Sequence, residues 1–258
     1  MMSAKKYYFL IPIIFSLIIV NSGDLSAQKN TGRILICTVM DSSQKPHDVT
    51  AFAAEKMGEM LIEEGFRVKV ANETDDFNEA KLKTYSAIIF LNNRGNIFDD
   101  QQQLVLQSFV NNGGGIAILH AAILAEEDWN WFTGLVGARF VNHPEIQSAK
   151  LNNVLPRHEA NRYLPEEWVH TDEWYNYKAI PENVTVLLEV DETSYKGGIH
   201  GKSHPIAWCH KYDGGKVFYT AIGHTNECWT NEIFTRHILG GIEYIIDTTN
   251  LQENTEHQ

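Results

Sequence analysis

The chain has 258 residues, 43% hydrophobic and 21% charged, a composition that excludes collagen-like, coiled-coil and disordered classes. Lys and Arg total 21 against 33 Asp and Glu, a formal charge of −12. Nucleic acid and anionic membrane surfaces are therefore poor partners, because both reward clustered positive charge. The 11 His are the more pointed number, since His is the usual residue of acid–base and metal chemistry near neutral pH.

Residues 1–27 read as a secretory signal. Lys5 and Lys6 precede an uncharged, mostly apolar stretch, residues 7–20, that is too short for a comfortable membrane span. Cleavage is expected after Ser26-Ala27, before Gln28. The expectation is an exported protein, periplasmic or extracellular, with no stable membrane insertion once the signal is removed; the alternative is an uncleaved N-terminal anchor. Residues 28–249 then form a single domain and 250–258 a polar tail. Three cysteines, Cys37, Cys209 and Cys228, cannot build a disulfide framework. Cys37 sits in an apolar run and reads as core filler; Cys209 and Cys228 pair only if the fold brings them together.

Residues 33–39 form a fully apolar run, the mark of a strand covered on both faces. Residues 50–64 carry apolar side chains at helical spacing (Phe52, Ala53, Met57, Met60, Leu61), with Gly65 as the stop. Strands are expected over 66–71, 87–91 and 116–119. A helix capped by Asp99 or Asp100 runs to about Val110 and ends at Gly113-Gly114-Gly115. Strands alternating with helices predict a doubly wound, mostly parallel sheet in an α/β fold. After about residue 140 the pattern changes. Residues 184–190 read as a strand, and 206–211 and 216–221 flank Tyr212-Asp213-Gly214-Gly215 as a hairpin. A helix over 231–246 follows, giving an α/β core with an antiparallel β extension.

Ligands bind an open parallel sheet outside the carboxyl ends of its strands. That rim is offered Asp41 and His47 after the first strand, Asn92 after the third, His120 after the fourth and His224 after the strand at 216–221. Each of these is also an ordinary cap or loop hydrogen-bonder.

Several longer stretches stand out: 113–122 (GGGIAILHAA), 128–131 (DWNW), 135–140 (LVGARF) with His143-Pro144, Leu164-Pro165 to Trp168, 171–175 (TDEWY), 204–210 (HPIAWCH), 214–225 (GGKVFYTAIGHT) and 239–242 (LGGI). Together they resemble the ThuA-like (trehalose-utilisation) family. His47 stands where the family carries a His after its first strand. The resemblance covers roughly 33–247. It implies a fold similar to class I glutamine amidotransferases (flavodoxin-like) and a link to carbohydrate catabolism. It does not imply amidotransferase chemistry, which needs a Cys on the tight turn after a central strand; here that turn reads Leu119-His120-Ala121-Ala122.

Thr171 to Tyr175 sets carboxylates beside aromatics, a combination suited to sugar rings. Strand alternation puts Asp172 and Trp174 on one face and Glu173 and Tyr175 on the other, so one carboxylate faces the site, taken to be Glu173. The leading expectation is acid–base chemistry on a disaccharide or keto-sugar, as a hydrolase, lyase or isomerase. His120 or His224 would be the base and Glu173 the partner acid. Asp41, His47, Asn92, His143, Asp172, Tyr175, His204 and Trp229 would contact the substrate. Two alternatives stand: a non-catalytic sugar-binding module stacking on Trp129, Trp131, Trp174 and Trp229, and a metal-dependent sugar hydrolase. For the latter, His200 and His204 are four apart but in a Gly-rich loop, so neither cofactor nor metal is fixed by spacing.

Overall fold

The computed structural model describes residues 32–246. The expected export signal and the polar tail lie outside them. In chain order the elements are β1 (Arg33–Cys37), α1 (Thr50–Glu63), β2 (Arg67–Ala71), α2 (Glu79–Leu82), β3 (Ala87–Leu91), β4 (Arg94–Gly95), α3 (Asp100–Asn111), β5 (Gly115–Leu119), β6 (Leu124–Ala125), α4 (Asn130–Val136), β7 (Phe140–Asn142), β8 (Gln147–Asn153), β9 (Glu167–Asp172), β10 (Asn176–Tyr177), β11 (Thr185–Val190), β12 (Pro205–Tyr212), β13 (Gly215–Thr220) and α5 (Glu232–Ile245).

Nine strands make the main sheet, in the order β2-β1-β3-β5-β13-β12-β11-β8-β9. The pairs from β2 through β13 are parallel, and those from β13 onward are antiparallel. β3 and β5 are buried at every position, as runs of Ile, Ala, Leu and Phe flanked by helices on both sides require. The chain steps outward one way from β1 to β2 and the other way from β3 to β5. Right-handed crossovers therefore set α1 and α3 on opposite faces. α3 starts on a reciprocal cap: the Asp99 carboxylate accepts from Gln102 N–H, and the Gln102 amide reaches back to Asp99 N–H. The hairpin between β12 and β13 turns on Asp213 (φ 47°) and Gly214 (φ 99°), two consecutive left-handed residues as a tight two-residue loop demands.

Four reversals separate β13 from β9, so β9 runs in the same sense as β13 and its carboxyl end faces the same rim. A flat sheet would still leave these two strands about 19 Å apart. Register shifts between β11 and β12 bend the extension. It curls until the Asp172 carboxylate, at the end of β9, accepts hydrogen bonds from Gly223 N–H (2.9 Å) and His224 N–H (3.2 Å), just past β13. β9 ends at Asp172, earlier than the strand expected through Tyr175. All three cysteines are free and buried, so Cys209 and Cys228 do not pair. No helix among the described residues is long and apolar enough to cross a membrane.

Candidate active site

His120 is the residue that leaves β5. It takes φ 51°, left-handed backbone that costs a non-Gly residue about 1 kcal/mol or more and persists where the surroundings over-determine it. This strained turn is the position at which the amidotransferase chemistry would need a thiol, and an imidazole occupies it. Its Nδ1–H donates to Ala221 O (2.6 Å), which leaves the Nε2 lone pair to accept from the Tyr175 hydroxyl (2.9 Å). The fit is tight: a side chain on Gly223, whose φ is 143°, would press on His120 Cβ at 3.2 Å. His120 is completely buried. The sequence places His120 at the rim of the sheet, and the structure buries it there, because β5 is a central strand and the Tyr175 ring packs against it with centroids 4.8 Å apart.

Glu173, only 7% exposed, is the anion at the centre. Its Oε2 lies 3.4 Å from His120 Nε2, and its Oε1 lies 3.1 Å from His224 Nδ1 and 3.4 Å from His143 Nε2. His47, from the loop before α1, sets its ring edge-on against His120 and His224, with centroids 5.1 and 4.7 Å away. Four imidazoles from four segments thus surround one carboxylate. Burial alone would raise the Glu173 pKa, but the imidazoles of His120 and His224 hold it well below the usual carboxylate range. The Glu173 carboxylate in turn raises His224. Burial, with the neighbouring imidazoles of His120 and His224, pushes His47 down to about 4, so that ring is neutral at pH 7. The expected role of Glu173 as a proton-donating acid is corrected on this ground: it is ionised.

The structure does not bring the other predicted contacts to the pocket in the same way. Asp172 is fully buried and saturated: its oxygens accept from the N–H groups of Glu173, Gly223 and His224 and from Cys228 Sγ. It fixes the loops that carry Glu173 and His224 and has no face left for substrate. His204 is also fully buried, with Nε2–H donating to Tyr175 O (2.8 Å) and Nδ1 facing Glu192 Oε1 and Tyr195 Oη; it braces Tyr175 from behind. Trp229 is buried, and its indole N–H donates to Gly223 O (3.1 Å). Asp41 accepts from the N–H and hydroxyl of Ser43 in a local turn. Asn92 donates to the Thr50 hydroxyl (3.2 Å) and so ties the start of α1, beside His47, to β3. Trp174 is as buried as Trp229, which removes two of the four expected stacking faces.

Tyr175 entered the sequence expectation as a substrate contact, and its hydrogen bond to His120 was not foreseeable from local pattern. Arg94, in the polar block after β3, was passed over as well; its charge acts on His47 and Tyr175. A cavity of about 850 Å³ opens at the opposite, amino rim, lined by residues such as Ser86, Phe109, Gly114 and Ile245. It contains no His, so chemistry and not volume selects the carboxyl rim. One ligand atom from each of His47, His120, Glu173 and His224 lies within 4.8 Å of every other, a donor set able to hold a metal ion, whereas His200 and His204 lie apart from it.

The family model for ThuA, trehalose utilisation, matches residues 33–245. The chain belongs to the ThuA family. Among solved structures, the ThuA-like protein from Bacteroides uniformis superposes with a TM-score of 0.71 at 22% identity, over 85% of this chain and 93% of that one. A ThuA-like protein from Parabacteroides merdae gives 0.69 at 18% identity, over 84% and 90%. A Thermoplasma acidophilum protein assigned as a GMP synthase component gives 0.52 at 12%, over 87% and 98%, which shows the amidotransferase-like fold. No curated protein matches the chain.

Proposed function

We propose that this ThuA protein is an exported enzyme of carbohydrate breakdown that moves protons on a disaccharide or keto-sugar, without a covalent Cys intermediate. The observation that supports it is the packing of His47, His120, His143 and His224 around Glu173 at the carboxyl rim. Three features define the roles. His120 has its tautomer fixed by Ala221 O, so Nε2 carries the lone pair of a general base. His224, whose hold on its proton the Glu173 carboxylate strengthens, faces developing negative charge as the acid. Glu173 keeps that positive charge in place. Cysteine chemistry has no support: burial pushes the Cys37 and Cys209 thiols up to about 12, and burial with the Asp172 carboxylate raises Cys228.

The sugar-binding module loses ground because Trp174 and Trp229 lie in the core and only Trp129 and Trp131, stacked on each other, are partly open. The test is incubation of the purified protein with disaccharides and their 3-keto forms. Released monosaccharide or an isomerised keto-sugar, lost in His224→Ala, is the expected result. Tight sugar binding with no turnover across the panel would replace the enzyme with a binding module.

A further inference from the structure

The imidazole cluster has one feature that proton transfer leaves unexplained. His224 Nδ1 is buried and stands 3.1 Å from Glu173 Oε1 in an ion-pair contact whose angles fall outside those of a hydrogen bond. The His47 ring likewise meets its neighbours edge-on, in contact with the imidazoles of His120 and His224. Three imidazole rings and one carboxylate thus converge on one point of the carboxyl rim. A cation is what three nitrogen lone pairs and one carboxylate jointly accommodate.

We propose that His47, His120, Glu173 and His224 form a binding site for one divalent transition-metal ion of the zinc class. The donor set, three imidazoles and one carboxylate, suits a borderline metal and not Mg²⁺ or Ca²⁺, which take oxygen ligands. With bonds of about 2.0–2.1 Å, tetrahedral ligands lie roughly 3.4 Å apart. The four ligand atoms here are within 4.8 Å of one another, so closure needs shifts of about 1 Å. The outer contacts are those a metal-bound His requires. His120 Nδ1–H is spent on Ala221 O, which aims Nε2 at the cluster, and the His224 and Glu173 backbones are both pinned by Asp172. Loading exchanges the Tyr175 hydroxyl for the cation at His120 Nε2 and frees that hydroxyl for a ligand.

The other candidate triad, His170, Asp172 and Cys228, is fully buried. It is satisfied internally, with Cys228 Sγ donating to Asp172 and lying 3.2 Å from His170 Nε2. No electron is transferred and no bond to carbon is made in this proposal. It places a cation where the His120 and His224 nitrogens and the Glu173 carboxylate converge. It rests on the same pocket as the carbohydrate reading, and its test does not depend on turnover.

The purified full chain is stripped with chelator, dialysed and titrated with Zn²⁺ by calorimetry and with Co²⁺ by visible absorption. One equivalent should bind with micromolar or tighter affinity, and Co²⁺ should develop the d–d bands of a low-coordinate nitrogen–oxygen site. His47→Ala and Glu173→Gln should each weaken binding at least about tenfold, while His200→Ala leaves it unchanged. His47 lies on a half-buried loop, so its variant keeps the test open if Glu173→Gln misfolds. Absence of saturable binding, or binding indifferent to both variants, overturns the site. If stripped protein binds no metal and still turns over sugar, the metal fails and the acid–base reading stands. If metal binds stoichiometrically and no sugar reacts, the reverse holds.

Discussion

Asp172→Asn separates the support of the site from its chemistry. The native carboxylate receives four donors: Glu173 N–H at 2.7 Å and His224 N–H at 3.2 Å on Oδ1, and Gly223 N–H at 2.9 Å and Cys228 Sγ at 3.1 Å on Oδ2. An amide has one oxygen. Whichever way it lies, its NH₂ confronts two donors in a place with no solvent exposure. A buried donor left without a partner costs about 1–3 kcal/mol, so the substitution should destabilise the protein by about 2–6 kcal/mol. For a domain of this size that lowers the melting temperature by roughly 5–20 °C. Burial alone would raise the Asp172 pKa, but the nearby His170 and His120 imidazoles and the donors on Cys228 and Gly223 hold it lowered, so the ionised form is the one being replaced. Glu173→Gln is the contrast. Its carboxylate lies among the imidazoles instead of accepting backbone N–H groups, so activity or metal affinity should collapse with a smaller shift in melting than Asp172→Asn shows. Calorimetry on both variants decides. A melting temperature for Asp172→Asn within about 2 °C of the parent would refute the account of Asp172 as a saturated buried brace.

Four further outcomes follow from the structure. His224→Ala, at a side chain one-quarter exposed, should cut turnover at least about tenfold, or roughly 1.4 kcal/mol of barrier, at little cost in stability. His120→Ala should do so with a clear drop in melting temperature as well, because its two ring hydrogen bonds are buried; a preserved rate per folded molecule in either variant would remove that residue from the chemistry. Replacing Cys37 and Cys209 by Ala and Cys228 by Ser, which keeps a donor to Asp172, should leave specific activity intact, and lost turnover in a folded triple variant would revive covalent catalysis. His237 is fully buried, and burial pushes it down to about 3. The unfolded chain, with a His pKa near 6.5, therefore binds the extra proton as pH falls below that value, and stability declines from about pH 6.5 toward 3. The loss is about 2 kcal/mol at pH 5. Urea unfolding at pH 7 and 5 should show that much less acid sensitivity in His237→Gln, and equal sensitivity would contradict it.

The parallel half of the fold was legible because its strands are buried on both faces and show it as unbroken apolar runs; β3 begins and ends where the sequence predicts. The Asp99 cap and the Asp213-Gly214 turn were equally plain, since each depends on neighbours in the chain. β8 was not: Gln147–Asn153 is largely polar and takes strand form only from its pairing with β9 and β11. The imidazoles at strand ends could be found by the rule that ligands bind at that rim. The difference between Asp172 and Glu173 could not, because it depends on a loop about fifty residues later closing on one of them and not the other. Trp229 and His204 look like ligand contacts in one dimension for the same reason: nothing local says that Gly223 O and Tyr175 O will use their ring N–H groups.

The curl of the antiparallel strands also couples assembly of the imidazole–carboxylate cluster to completion of the fold. The imidazoles of His47, His120 and His224 come from the parallel core and its last loop, while Glu173 arrives just past the outermost strand, four places beyond β13. A molecule whose outer strands have peeled away would retain a recognisable core and all three of those histidines, but would have lost the anion they share. On the proposed reading such a partly opened species is inert, and an activity assay would count only molecules in which the seam between the edge strand and the core has closed.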